Sequence, residues 1–240
     1  MTILDEILAD LPDAPVRDVV VGAHWTAVVS RRCGLSSTIP DDTPHAHQDV
    51  RDAGRLHLKS ARELAEYARS SNPLEAGIGV AAINSLLPVD PSGAVEVNAS
   101  HVLAERGRGR TVAVVGRFPF LPKIREQVGR LEVLERRPAE GERPASDAPD
   151  VLPGADVVAL TGSALVNGTL DGLLALCRPD ATVLVLGPTT PLSPVLFDHG
   201  ADLLAGTLVL DEARVLKTIS QGASFRQVEG VRLLTFARPS

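Results

Sequence analysis

The chain has 240 residues, 44% hydrophobic and 22% charged, with 20 Gly, 18 Pro and a formal net charge of −6. That apolar share can bury a core without disulfide or metal staples, which excludes fibrous and disordered classes. The acidic balance argues against a nucleic-acid partner, and no apolar run approaches the ~20 residues that span a bilayer.

Only five Phe, one Trp and one Tyr are present. They are too few to stack a single-stranded nucleic acid, so the core is expected to be aliphatic. The first residues, Met1 to Leu11, carry acids and no basic segment, which does not read as a secretory signal. Cys33 and Cys177 are far apart and form no Cys-x-x-Cys motif, so a reducing cytoplasm is the expected compartment.

The first hundred residues read as α+β. Leu4, Ile7, Leu8 and Leu11 recur at helical spacing before Pro12. Val16–Val21 and Trp25–Ser30 suggest a hairpin around Gly22-Ala23-His24. Residues 36–57 are polar and read as a loop. A helix is expected from Ser60 to Ser71, and another from Glu75 to Leu87 after Asn72-Pro73. This second helix carries small residues, which permit close packing.

From Thr111 the rhythm changes. Thr111–Val115, Leu131–Glu135, Asp156–Leu160, Thr182–Leu186, Asp202–Leu210 and Val231–Phe236 alternate with helical patterns. The first, third and fourth are near-continuous Val, Ala and Leu, as in parallel strands buried on both faces. Alternating strands and helices predict a doubly wound sheet, whose ligands bind outside the carboxyl ends of the strands. Arg136–Pro149 is polar and Pro-rich and reads as an exposed connection.

Those strand ends hold the candidate residues. The first runs into Gly116-Arg117-Phe118-Pro119, a single glycine and not a dinucleotide fingerprint. Glu135 follows Gly116 by 19 residues, the spacing at which an acid accepts hydrogen bonds from a ribose; a solvated strand end is the alternative. The third ends Thr161-Gly162-Ser163, with Asn167 and Thr169 before a helix at Leu170–Cys177. These polar groups could cap that helix or cradle a polar ligand. The fourth ends Gly187-Pro188-Thr189-Thr190-Pro191. Phe118 stands apart from the other Phe residues, in a rim loop where a planar ligand could use it. Glu75 and Asn84 are the polar residues of the small-residue helix. His45 and His47 form a His-x-His pair in the polar loop, the candidate ligands for a divalent metal ion.

Four ordered segments carry a resemblance: Glu75 to Asn84, Val115 to Pro119, Leu160 to Thr169 and Leu186 to Pro194. Together they resemble the putative heavy-metal chelation family over nearly the whole chain. The resemblance implies an α/β fold: an enolase N-terminal-like α+β domain over 1–100 and a Rossmann-like parallel-sheet domain over 101–240. It also implies a site at the domain junction, where Glu75 and Asn84 face Gly116–Pro119, Thr161–Ser163, Asn167 and Gly187–Thr190. The chemistry it suggests is condensation or hydrolysis of a pterin-, flavin- or siderophore-like metabolite. In an enzyme acting in that cleft, Glu75 is the expected general acid/base, and the strand-end hydroxyls and Asn167 the groups that orient the substrate. The His-rich loop is not part of the family pattern. Two alternatives stay open: non-catalytic binding of a metal or metal chelate, and S-adenosylmethionine binding through Gly116 and Glu135. The expected partner is a small molecule, with neither nucleic acid nor membrane; a homodimer is a further candidate, and the cofactor is left open.

Overall fold

The computed structural model describes residues 1–39, 49–95 and 98–239. Helix α1 (Ile3–Ala9) opens with a capping box in which Thr2 Oγ1 accepts the Asp5 amide and the Asp5 carboxylate accepts the Thr2 amide. Strands β1 (Asp18–Val21), β2 (Trp25–Val29) and β3 (Cys33–Ser37) form an antiparallel sheet in that order. The hairpin is as expected; β3, a Cys-Gly-Leu-Ser-Ser segment, extends into residues read as loop. Helix α2 (Ala61–Ala65) passes into a 3-10 turn over Glu66–Arg69 instead of continuing to Ser71. Helix α3 (Pro73–Leu86) follows, with Asn72 Oδ1 accepting the Leu74 amide.

The remainder is a seven-stranded sheet and its helices. In chain order these are α4 (Ala99–Arg106), β4 (Thr111–Val115), α5 (Leu121–Arg125), β5 (Arg130–Glu135), β6 (Arg143–Pro144) and α6 (Ala148–Val151), then β7 (Val157–Thr161), α7 (Ser163–Val166), α8 (Leu170–Leu176), β8 (Thr182–Leu186), α9 (Val195–Asp198), β9 (Leu203–Val209), α10 (Glu212–Ser220) and β10 (Val231–Ala237). The spatial order is β10-β9-β8-β7-β4-β5-β6, parallel throughout except for β10, which pairs antiparallel with β9. Numbered from β4, the first six strands run 3-2-1-4-5-6, the order of a Rossmann sheet, and the order reverses between β4 and β7. The expected α/β class is therefore the observed one, with α4 and the short β6 as additions.

Two-sided burial explains the apolar runs. Val112 and Val114 of β4, with Val157 and Ala159 of β7, face Leu103, Leu121 and Ile124. Ala113, Val158 and Leu160 join the larger cluster on the other face with Leu152, Leu170 and Leu174. The antiparallel sheet is covered twice as well. Ala27, Val29, Cys33 and Leu35 pack on Val215 and Ile219 of α10, while the alternating positions face α3. A Cβ on Gly34 of β3 would stand 2.2 Å from the Ala81 carbonyl oxygen, and one on Gly79 would stand 1.9 Å from the Ala68 nitrogen. Helix α3 thus lies in backbone contact with β3 on one side and the 3-10 turn on the other, which accounts for its small residues. Among the described residues no helix is long and apolar enough to cross a membrane.

Candidate functional site

The strands β4, β7 and β8 end alike. A glycine follows the last residue of each: Gly116, Gly162 and Gly187. Their amides extend the ladders to Leu134 O (2.9 Å), Leu186 O (2.9 Å) and Ala205 O (3.0 Å). Gly116 (φ 106°) and Gly187 (φ 116°) turn through backbone that side chains disfavour. Gly162 is right-handed (φ −58°) and is required for another reason: a Cβ there would stand 2.5 Å from Thr190 N and Oγ1.

Above these ends lies a cavity of about 1310 Å³. It runs along the carboxyl rim from Glu135 of β5 to Arg232 of β10, and the antiparallel sheet contributes Trp25 and Ser37 to its wall. Ser37, Ser163 and Thr189 meet there. Ser37 Oγ lies 2.9 Å from Ser163 Oγ and 3.0 Å from Thr189 Oγ1, and the Ser37 amide donates to Thr189 Oγ1 at 2.9 Å. Three hydroxyls from three segments thereby join the two sheets. Behind them, Asn84 Nδ2 donates to Leu35 O (2.9 Å) and Thr189 O (3.0 Å), fixing the loop after β8 to β3.

Aromatic rings line the cavity in pairs. Phe118 stacks on Phe120 (centroids 5.3 Å apart, 9° between planes), and Trp25 meets Phe225 at 5.2 Å. The charged groups in the described wall are Arg117, Arg136, Arg226 and Arg232 against Glu135. Arg117 is engaged by Glu142 through two contacts, 3.0 and 2.5 Å. Among the described wall residues, four arginines stand against one glutamate.

Most sequence-predicted residues come together here. Gly116, Arg117, Phe118, Pro119, Glu135, Thr161, Ser163, Asn167, Gly187, Pro188 and Thr189 all line the cavity. Gly162 and the buried Thr190 pack against each other beneath it. The cradle expected at the start of α8 is divided by α7, and Asn167 is an exposed residue capping the end of α7. Asn84 positions the wall without lining it.

Glu75 lies outside the lining. The residue is 3% exposed, and its carboxylate accepts the Arg51 amide (2.8 Å), the Arg51 guanidinium (2.9 and 3.0 Å) and the Ser70 hydroxyl (2.7 Å). Burial pushes this carboxyl up, but those hydrogen bonds outweigh it and hold the group below its ordinary range. A carboxylate so held is a poor proton donor, and the geometry gives Glu75 an anchoring role. His45 and His47 lie outside the described residues. Among the described residues no group of three or more His, Cys, Asp or Glu is placed to hold a metal ion. The residues not foreseen are Trp25, Ser37, Phe120, Phe225, Arg226 and Arg232. Ser37 carried no local signal, because its role depends on loops more than 120 positions away.

Two family models, both described as putative heavy-metal chelation, match residues 4–87 and 98–238. The chain belongs to this heavy-metal chelation family. A family protein of unknown function from Desulfitobacterium hafniense DCB-2 has a crystal structure similar to this one. The TM-score is 0.85 at 28% identity, over 98% of this chain and 97% of that one. One from Pyrococcus horikoshii shares the fold, with a TM-score of 0.82 at 22% identity and 98% of each chain covered. An uncharacterized protein of Methanocaldococcus jannaschii is 25% identical over 182 residues, 72% of this chain and 69% of its own length.

Proposed function

We propose that the chain binds a small planar organic ligand of the metal-chelating kind, pterin-, flavin- or siderophore-like, in the rim cavity. The two family matches meet between residues 87 and 98, which supports a two-domain division at about residue 100 and a cavity between the domains. The observation that carries the reading is the composition of the cavity wall. Phe118 offers an apolar face to a ring, Ser37, Ser163 and Thr189 offer hydroxyls to its polar edge, and Arg226 and Arg232 favour an anionic group. A volume of about 1310 Å³ exceeds the ~300–1,000 Å³ of most small-ligand sites, so there is room for a chelate. In this reading the protein holds the organic part of a metal complex, and the metal arrives inside its chelator.

Condensation or hydrolysis at this site would fall to the groups that touch the ligand. The hydroxyl trio and Asn167 orient a carbonyl or amide, and Arg226 and Arg232 stabilise developing negative charge. The capture of Glu75 by Arg51 favours a second reading, in which the ligand is carried unchanged. Calorimetry with pterin-6-carboxylate, riboflavin and 2,3-dihydroxybenzoate, the last with and without ferric iron, tests binding. We expect at least one probe to bind and Phe118→Ala to weaken it tenfold or more. No binding at millimolar ligand, or affinity indifferent to Phe118→Ala, would overturn the proposal. Mass spectrometry of the bound probe after incubation separates the enzyme from the carrier.

A further inference from the structure

We propose that the part of the cavity over β4 and β5 is a ribonucleoside subsite in which Glu135 accepts the ribose 2′ and 3′ hydroxyls. The inference goes beyond the chelator reading and shares with it only the premise that this cavity holds a small molecule. Its first support is topological. The strand order reverses between β4 and β7. In sheets of this order, the acid at the end of the strand beside the first, about 20 residues beyond the turn glycine, meets a ribose. Here Gly116 turns the chain at the end of β4 with φ 106°. Glu135 is the last residue of β5, the strand paired in parallel with β4. Both residues line the cavity.

The second support is the chemistry of Glu135. It is half-buried, and one carboxylate oxygen accepts the adjacent Arg136 amide at 3.0 Å. Among the described residues no cation forms an ion pair with it, although arginines share its wall. An ionised carboxylate only accepts hydrogen bonds, through two oxygens. Two adjacent hydroxyls match it.

Phe118 indicates what the nucleoside carries. A Cβ on Gly116 would stand 3.5 Å from one edge of the Phe118 ring, and a Cβ on Gly187 would stand 3.8 Å from the other. The ring therefore lies across the crevice from β4 to β8, where dinucleotide-binding sheets seat a pyrophosphate. Pro119 has no amide to donate to a phosphate. The 5′ substituent is thus something other than a diphosphate, and it runs across an aromatic face toward Thr161 and Ser163.

The test is calorimetry on the full chain with adenosine, 2′,3′-dideoxyadenosine, S-adenosylmethionine and NAD, beside the three chelator probes. We expect adenosine or S-adenosylmethionine to bind. Removal of the diol, or Glu135→Ala, should weaken that binding tenfold or more, and NAD should bind no tighter than adenosine. Glu135→Gln keeps the shape and loses the charge; it should show an intermediate loss at an unchanged melting temperature. Absence of nucleoside binding at millimolar ligand, or binding indifferent to the diol and to Glu135, overturns the inference. NAD binding tenfold tighter than adenosine overturns the exclusion of a diphosphate. If chelators bind and nucleosides do not, only this inference falls; if nucleosides alone bind, only the chelator reading falls.

Discussion

Replacing Gly162 by alanine tests whether the rim is locked by close packing. At φ −58° and ψ −21° the backbone accepts any side chain. Stiffening the unfolded chain would by itself stabilise the protein by ~0.4–1 kcal/mol. The new Cβ, however, would stand 2.5 Å from Thr190 N and Oγ1 and 2.6 Å from Thr190 Cα. Comfortable carbon contacts lie at ~3.5–4.0 Å, so the loop after β8 must retreat by about 1 Å. That movement opposes the Ser37–Thr189 bonds and the Asn84 contact that pin the same loop. Overpacking of this kind costs ~1–3 kcal/mol. The net is a loss of about 1–2 kcal/mol, a fall of about 2–8 °C in Tm for a chain of this length.

Gly172 is the control. It lies in α8, exposed, with nothing within 4 Å of an added Cβ. Alanine there should stabilise by ~0.5–1 kcal/mol. Scanning calorimetry, with Trp25 fluorescence in urea as a second probe, measures both variants. If Gly162→Ala melts at or above the parent while Gly172→Ala is stabilised, the loop yields freely and the packing argument is wrong.

Other expectations follow from single contacts. The depressed Glu75 carboxyl stabilises the fold above its unfolded pKa of ~4.3, and this contribution is lost as pH falls through the folded value. Glu75→Gln should cost ~1–3 kcal/mol at pH 7 and flatten the stability profile below pH ~4.3; an unchanged acid limb refutes this. Asn84→Leu leaves the carbonyls of Leu35 and Thr189 without their donor and should cost ~1–3 kcal/mol, read by urea denaturation. Thr190 Oγ1 is buried with no hydrogen-bond partner among the described residues, so Thr190→Val should be neutral or stabilising, and a loss above ~1 kcal/mol would mean that the hydroxyl is hydrogen-bonded in solution. Burial raises the Cys33 thiol to about 12 and Cys177 to about 11. Both should resist alkylation at pH 8 in the native state and react in denaturant, as mass spectrometry can follow.

The legible parts of the fold share one property. Thr111–Val115 and Thr182–Leu186 read as strands, with the bounds they have, because a strand covered on both faces is apolar along its run, here at every position after the first threonine. Asp156–Leu160 differs from the observed Val157–Thr161 by one residue, within the ambiguity of a strand end. Strand β3 was illegible for the opposite reason. Its Gly34 serves the approach of α3 and its Ser37 serves a hydroxyl cluster, so neither contributes an apolar signal. The Glu75-to-Asn84 helix announced close packing, but not against what. Its partners are β3 and the turn at Glu66–Arg69, set by backbone contacts that no periodicity encodes.

The sequence by itself determined the alternation of strands and helices, the α/β class and the glycine-and-hydroxyl strand ends. All of these arise from neighbours a few positions apart. The tertiary structure alone decided which polar residues meet. Ser37 meets Ser163 and Thr189 across more than 120 positions. Glu75 is drawn away to Arg51 by a carboxylate's need for donors once it leaves water. Burial, strand order and donor–acceptor matching are properties of the assembled chain, and they turned a row of strand ends into one walled cavity.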